Sequence, residues 1–542
     1  MSVRNAIALS LALSTLALLA GCGSGSGSPP AQAPPGGSFS NSNLNGTYVF
    51  SISGVEQTEG APVEIVGTIV ANGSGKITGG TIDMVDPATT NGVATNLSVS
   101  GNGTYSVGVD GRGNATINTT TANLYGLPMT FDFVLQNSSH GLITEFDGNA
   151  SGSGTLDLQS TATLSGAYAF SFSGIDDNDS PVATVGAFTV GNDGSITGVE
   201  DFNDADLAYP NEALSGSVTL GPSSTPATTF STPSFPLLTF DVYAIDSTHL
   251  KFIETDGLEF LSGDAFSQTS TVVSTGPSAF TLAGVFDGGA SAAGGFIVTD
   301  GNGNITDAST EDVNDNGNPS EGPVLFSGTY SNAGSLTTGR TVATLAGFFG
   351  GTQYAAYPST GGLLLLEIDD AGIMVGAAYP QTSTSVTAPQ GYALNLTGNN
   401  LPLTESNQFT SEVDDIGEFA TATSGATFTG LVDENFAPGG SPLSRQVLDG
   451  TFNAPDSNGR GSLVTTTTNG TLNGGVGLTF YSVDGTTFPF IETDDGQQVT
   501  VGVMVVQSAT GATPAVAART HMYVPHPFVR VRSARKWQKK VK

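Results

Sequence analysis

The sequence predicts an all-β protein made of four tandem antiparallel meander repeats of about 110 residues each. Three observations carry this. One pattern returns four times: Ile143-Thr144-Glu145-Phe146-Asp147-Gly148, Phe252-Ile253-Glu254-Thr255-Asp256-Gly257, Leu365-Leu366-Glu367-Ile368-Asp369 and Phe490-Ile491-Glu492-Thr493-Asp494. Its glutamates stand 109, 113 and 125 residues apart, and a glutamine (Gln159, Gln268, Gln381, Gln507) follows each after 14, 14, 14 and 15 residues. Turn-forming Gly, Asn and Asp recur every ~8 to 12 positions, the spacing of short strands. Beyond residue 20 no stretch sustains a 3.6-residue apolar period.

The chain begins with Arg4 and an apolar run at residues 6–20. That run is shorter than the ~20 residues a spanning helix needs and fits the core of an export signal. It ends in Leu19-Ala20-Gly21-Cys22, and Cys22 is the only cysteine of the chain. These four residues resemble the lipobox of bacterial lipoproteins. The resemblance implies cleavage after residue 21, acylation of Cys22, and attachment to a membrane through that lipid at the cell envelope. No thiol then remains for a disulfide. Residues 22–43, rich in Gly, Ser and Pro, read as a flexible tether.

Four repeats follow at 44–160, 161–270, 278–383 and 389–508. Each opens on a strand such as Leu44-Asn45-Gly46-Thr47-Tyr48 or Leu164-Ser165-Gly166-Ala167-Tyr168, then turns through a Gly/Asn hairpin such as Asn192-Asp193-Gly194. A later hairpin carries Arg112, Arg340 and Arg460 in repeats one, three and four; repeat two lacks the arginine. Counting the Glu-x-Asp strand as the seventh gives eight strands per repeat. Closure of such a sheet removes both edges, so small barrels are predicted, with β-sandwiches as the alternative and propeller blades behind them. The order of these marks resembles small avidin-like and lipocalin-like barrels, a likeness of pattern. Avidin-type sites use several tryptophans, and the only one here is Trp537, near the end. Biotin binding is therefore not carried over.

Charge excludes some partners. Residues 1–518 carry 7 basic against 48 acidic residues, a formal −41 that repels nucleic acid. The other 8 basic residues lie in 519–542, part of a basic tail at 509–542 suited to an anionic envelope polymer or lipid head groups.

In each Glu-x-Asp strand the residue two before the glutamate is apolar (Ile143, Phe252, Leu365, Phe490), so the carboxyl faces the core near the strand end. It needs hydrogen-bond partners there, and the strand seven–eight turn amides and nearby hydroxyls are the expected ones. The arginines sit at the opposite end of the meander. The same topology puts Glu-x-Asp at one rim with the acidic loops after strands one and three. A solvated rim is the plain reading of that cluster. The sharper one is a Ca²⁺ site drawn from Asp83, Asp86, Glu145, Asp147, Asp201, Asp204, Glu254, Asp256, Asp312, Asp315, Glu367 and Asp369, with Asp176, Asp177 and Asp179 nearby. No other cofactor is implied.

His140 and His249 fall in equivalent turns, but neither meets a nucleophile or a metal-ligand spacing. Paired carboxylates copied four times suit structure better than a glycosidase site. The expected function is a non-catalytic structural, adhesion or binding role at the cell envelope. The rivals are a carrier of small apolar ligands in barrel lumens and a Ca-dependent binding module. Inward Gly or Ala would favour the carrier; a lumen filled by Phe and Leu would favour the structural reading.

Overall fold

A computed structural model describes residues 31–509, except 59, 90–91, 127, 161, 163, 177–179, 205–206, 220–226, 235–236, 287, 332–337, 370, 402–410, 468–471, 473–474, 495 and 497. The lipobox with Cys22, Asp177, Asp179 and the basic tail from 510 onward lie outside the described residues.

The body is four closed, eight-stranded antiparallel barrels in tandem, with one short 3-10 turn at Asn41–Asn43. Barrel 1 runs through Asn45–Glu56, Pro62–Asn72, Lys76–Val85, a fourth strand broken into Val93–Ser98 and Gly103–Val107, then Arg112–Ile117, Met129–Leu135, His140–Phe146 and Ala150–Leu158. Barrel 2 runs through Gly166–Asp176, Pro181–Val190, Ser195–Asp204, Leu207–Val218, Ala227–Ser231, Leu238–Asp246, His249–Glu254 and Glu259–Ser267. Barrel 3 has Gly276–Phe286, Gly289–Thr299, Asn304–Asp315, a fourth strand split into Asn318–Pro319 and Val324–Ser331, Thr341–Ala346, Gln353–Ser359, Gly362–Glu367 and Gly372–Pro380. Barrel 4 has Gly391–Asn400, Ser411–Thr421, Thr427–Ala437, Leu443–Asn453, Arg460–Thr465, Gly477–Tyr481, Thr487–Glu492 and Gln498–Val506. Every strand pairs with its chain neighbour, and strand eight returns to strand one, as in Tyr48 opposite Leu158 and Tyr392 opposite Val506. Up-and-down closure leaves no sheet edge.

Alternation along the strands sends one set of side chains into each lumen. In barrel 2 that set is aromatic: Phe170, Phe172, Phe188, Phe230, Phe240 and Phe252 pack with centroids mostly 5–6 Å apart, as in Phe172–Phe252 at 5.0 Å. The other set is also largely buried, because the barrels pack on one another. Strands one to three of each barrel lie against strands six to eight of the next: 1 on 2, 2 on 3, 3 on 4, and 4 on 1. The same head-to-tail contact therefore closes after four copies, giving a ring.

Part of the expected tether belongs to this body. Phe39 is buried in the barrel 1 core, its N–H bonds Val109 O at 3.1 Å, and Asn43 Nδ2 donates to Ala509 O at 3.1 Å. An apolar Phe and Leu44 at the end of a Gly/Pro-rich stretch gain more by docking than the segment loses in freedom.

Candidate functional site

Two sets of repeated side chains define what the molecule does with its polar groups: one in the barrel mouths, one between barrels.

In the mouths, Glu145, Glu254, Glu367 and Glu492 are at most 1% exposed. Glu254 Oε1 accepts from the N–H groups of Asp256 and Gly257 at 2.7 and 2.9 Å, and Glu492 Oε2 accepts from Thr500 Oγ1 at 2.8 Å. Those are the expected turn amides and a hydroxyl. A further partner is the aspartate two residues on, against which each glutamate carboxyl is hydrogen-bonded. Burial, reinforced by that neighbour, pushes Glu254 up to about 10 and the other mouth carboxyls Glu145 and Glu492 well above their usual range. At neutral pH Glu254 is thus a neutral acid donating to Asp256.

The aspartates in turn fasten the chain where it enters strand six. Thr130 N donates to Asp147 at 3.0 Å, Thr239 N to Asp256 at 2.6 Å, and Gly477 N to Asp494 at 3.0 Å. Asp369 accepts from Thr352 N, Thr352 Oγ1 and Gln353 N at 2.5, 2.6 and 3.0 Å. The strand five–six loop just before these points lays apolar side chains on the lumen: Leu124 and Tyr125 in barrel 1, Phe348 in barrel 3, Leu472 in barrel 4. The Glu-x-Asp strand is thus a latch that holds a plug loop.

Between barrels, strand three supplies an aspartate and an asparagine two residues apart. Asp201 takes Arg340 Nε at 2.7 Å and Tyr357 Oη at 2.5 Å. Asp312 takes Arg460 Nε and Nη2 at 2.8 and 2.7 Å and Tyr481 Oη at 2.8 Å. Asp433 pairs with Arg112, closing the ring. In barrels 1, 2 and 4 the aspartate coincides with a register shift in strand three, a bulge that turns its carboxyl toward the neighbour. The asparagines clasp the Glu-x-Asp turn of the next barrel from outside: Asn203 Nδ2 on Glu367 O and Gly372 O (3.1, 2.8 Å), Asn314 on Glu492 O and Gln498 O (3.2, 3.1 Å), Asn435 on Glu145 O and Ala150 O (2.8, 2.9 Å).

The recurring glutamines complete the set. Gln268 Nε2 bonds Thr338 O and Pro358 O, Gln381 bonds Asn458 O and Ser482 O, and Gln507 bonds Asp110 O and Leu135 O, all at 2.9–3.0 Å. Gln159 makes one such bond, to Ala244 O at 2.8 Å.

Junction 1–2 departs from the rest. Asp83 meets Tyr243 Oη at 2.7 Å and the carboxyl of Asp241, and Val85 stands where the other barrels have asparagine. Burial and then the charge of Asp83 push Asp241 up to about 7.

Several candidate calcium ligands are therefore placed away from an open rim. Asp83, Asp201 and Asp312 are buried in the junctions, the first two because the bulge aims them at the adjoining barrel and Asp312 through its bonds to Arg460 and Tyr481. Asp86 is buried beside Glu56 and accepts from Ala88 N at 2.9 Å, Asp315 accepts from Ser291 Oγ at 3.0 Å, and Asp204 ends strand three of barrel 2. Glu145, Glu254, Glu367 and their aspartates form the latches. Among the described residues no group of three or more His, Cys, Asp or Glu is arranged to hold a metal. His140 and His249 bond Asp157 and Asp264 at 2.7 and 2.6 Å, each across its own strand pair.

The fold and these contacts define a class: a ring of four meander barrels on one chain. No protein-family model matches it, and no curated protein does. Among solved structures it is similar to a mutant transferrin binding protein B from Haemophilus parasuis Hp5 (10% identity, 70% of this chain and 82% of that one, TM-score 0.17). A double mutant of that protein gives 9% identity, 89% and 98% coverage and a TM-score of 0.19; intact Ap-TbpB, N and C lobes, gives 11%, 89% and 98%, and 0.18. Scores this low carry no argument about function.

Proposed function

We propose that the protein is a lipid-anchored, non-catalytic binding or adhesion module of the bacterial cell envelope, in which four barrels act as one rigid platform. The observation that carries this is the destination of the repeated polar groups: Glu-x-Asp fastens plug loops, while Asp-x-Asn, Arg and Gln fasten one barrel to the next. None is left converging on an open cleft in the way an active site requires. The filled lumen of barrel 2, whose void of about 10 Å³ has room for no more than one water, supports the same reading. Outward strands four and five, with exposed Ser, Thr and Asn, are then the surface offered to partners. The basic segment 519–542 would add contact with anionic lipid or polymer.

The test is fractionation of cells expressing the full chain and Cys22→Ser. The expected result is wild type in the membrane fraction, labelled by radioactive palmitate, and the variant unlabelled and released. Equal membrane retention without label would overturn the anchor.

A further inference from the structure

We propose that the lumen of barrel 3 is a binding site for one small neutral aromatic molecule, which enters by displacing the ring of Phe348. This goes beyond the platform reading and stands or falls separately from it.

Barrels 2 and 3 can be compared position by position through their strand registers. Where barrel 2 has Tyr168, Phe172, Phe188, Phe230, Val242 and Phe252, barrel 3 has Ser278, Leu282, Ile297, Leu345, Ala356 and Leu365. Each of these six replacements is smaller, while Phe326 and Tyr354 are larger than Leu214 and Phe240, whose positions they take. Ala293, Ala343 and Ala378 line the same core. Barrel 2 is filled by its own strands, whereas barrel 3 fills part of its volume from a loop.

That loop is Gly347-Phe348-Phe349-Gly350-Gly351, and its three glycines have φ of +79°, +85° and +106°. Positive φ at each of them marks backbone that only glycine adopts readily, so the two phenylalanines hang between hinge-like residues. Phe348 stands in a box of aromatic edges: centroids 4.8 Å from Phe326, 5.6 Å from Tyr354 and 5.9 Å from Phe280, at 69°, 87° and 45°. Yet Phe348 is only partly buried, while Phe280, Phe326 and Tyr354 are at most 2% exposed. Withdrawing it therefore costs less than withdrawing any strand-borne ring. Its neighbour supplies a second resting place, since Phe349 packs against Phe286 with centroids 4.8 Å apart and planes tilted by 59°.

The polar groups at this mouth are only partly engaged, since Glu311 Oε2 is buried without a partner, and burial pushes that carboxyl up to about 8. Phe349 N donates to Glu311 Oε1 at 2.8 Å, and Tyr354 Oη donates to Gly350 O. The box itself offers only ring faces and methyls. The guest it suits is thus an uncharged aromatic ring of the size of a benzyl group or slightly larger, held by edge-to-face contacts.

The experiment titrates the full chain with naphthalene, followed by its fluorescence, with amide hydrogen exchange read at 345–352. The expected result is saturable 1:1 binding to wild type, and faster exchange of the Phe349 amide as the loop moves out. Phe348→Ala removes the competing ring and should bind at least tenfold more tightly. Ala356→Leu, which fills the lumen from strand six, should abolish binding while circular dichroism stays that of wild type. The proposal is overturned if wild type shows no saturable binding, or binds with unchanged exchange at 345–352. Undiminished binding by a folded Ala356→Leu overturns it as well; if that variant does not fold, the two wild-type readings decide.

Discussion

Replacing Arg340 by Met tests whether the junction ion pairs hold the ring. Arg340 is 5% exposed and Asp201 fully buried, and the guanidinium reaches both carboxylate oxygens. Methionine keeps most of the stem packing but leaves the aspartate with Tyr357 Oη and the Asn211 N–H, at 2.9 Å, as donors. The orphaned carboxylate then stays charged in the interface or takes up a proton. Protonating an aspartate of ordinary value ~3.9 costs about 4 kcal/mol at pH 7 and about 1.5 kcal/mol at pH 5. Loss of one partner from a buried pair typically costs ~3–5 kcal/mol, so the two estimates agree. The folded variant binds the extra proton and the unfolded chain does not, so stability falls as pH rises. Urea denaturation of Arg340→Met should show a deficit near 4 kcal/mol at pH 7 that shrinks toward pH 5. The double variant with Asp201→Leu should recover most of it. A deficit under ~1 kcal/mol at pH 7, or one independent of pH, refutes the reasoning.

Other outcomes follow from the same contacts. Glu254, pushed up to about 10 by burial, is neutral at pH 7, so Glu254→Gln should change stability by less than ~1 kcal/mol, whereas Glu254→Ala opens a void and should cost ~2–3 kcal/mol in urea melts. Asp369→Ala removes three acceptor contacts from the loop base and should speed amide exchange at Thr352 and Gln353 without unfolding the chain. Gln507→Ala leaves two buried carbonyls unpaired at the barrel 4–1 junction and should cost ~1–3 kcal/mol, unlike an exposed glutamine. The raised value of Asp241, about 7, means its stabilising contribution is complete below ~3.9 and lost as pH rises through 7. Melting temperature should therefore fall between pH 5 and 8, less steeply in Asp83→Asn.

The strand count, the barrel closure and the inward glutamates were legible because each rests on a local signal: turn residues, period-two alternation, and a mark repeated four times. The ring was harder to read. A repeat taken alone shows which side chains point outward but not what they meet, so Asp201 and Asp312 read as rim acids and Gln159 only as a mark of the repeat. The signal was nonetheless present. Asp-x-Asn occurs as Asp201-Phe202-Asn203, Asp312-Val313-Asn314 and Asp433-Glu434-Asn435, and fails in repeat one as Asp83-Met84-Val85. The arginine fails in repeat two. Those two failures meet at a single junction, which is what head-to-tail pairing of repeat n with repeat n+1 requires. Phe348 could not have been singled out, since nothing local separates a plug residue from an ordinary loop phenylalanine.

That pattern of failure also says where the ring is weakest. A heterologous contact closes only if every copy turns the chain by the same angle, so an error at one joint must be absorbed by the others. Three joints are pinned by an ion pair and by two side-chain amides of one barrel gripping backbone carbonyls of the next. The fourth, between barrels 1 and 2, lacks the arginine and asparagine clasps: Val49, Val66 and Val85 pack against Tyr243, Ile245 and Ile253, joined by single hydrogen bonds from Tyr243 Oη to Asp83, Gln159 Nε2 to Ala244 O and Ser262 Oγ to Glu64. Apolar contact is non-directional and tolerates a small change of angle, whereas bidentate pairing does not. The chain thus places its compliant joint between barrels linked directly in sequence. The joint between barrels 4 and 1, which no short linker spans, carries Arg112–Asp433, Asn435 and Gln507. Covalent continuity keeps barrels 1 and 2 together at any pH, whereas the joint between barrels 4 and 1, unlike joints 2–3 and 3–4, has its directional bonds without a short peptide link beside them.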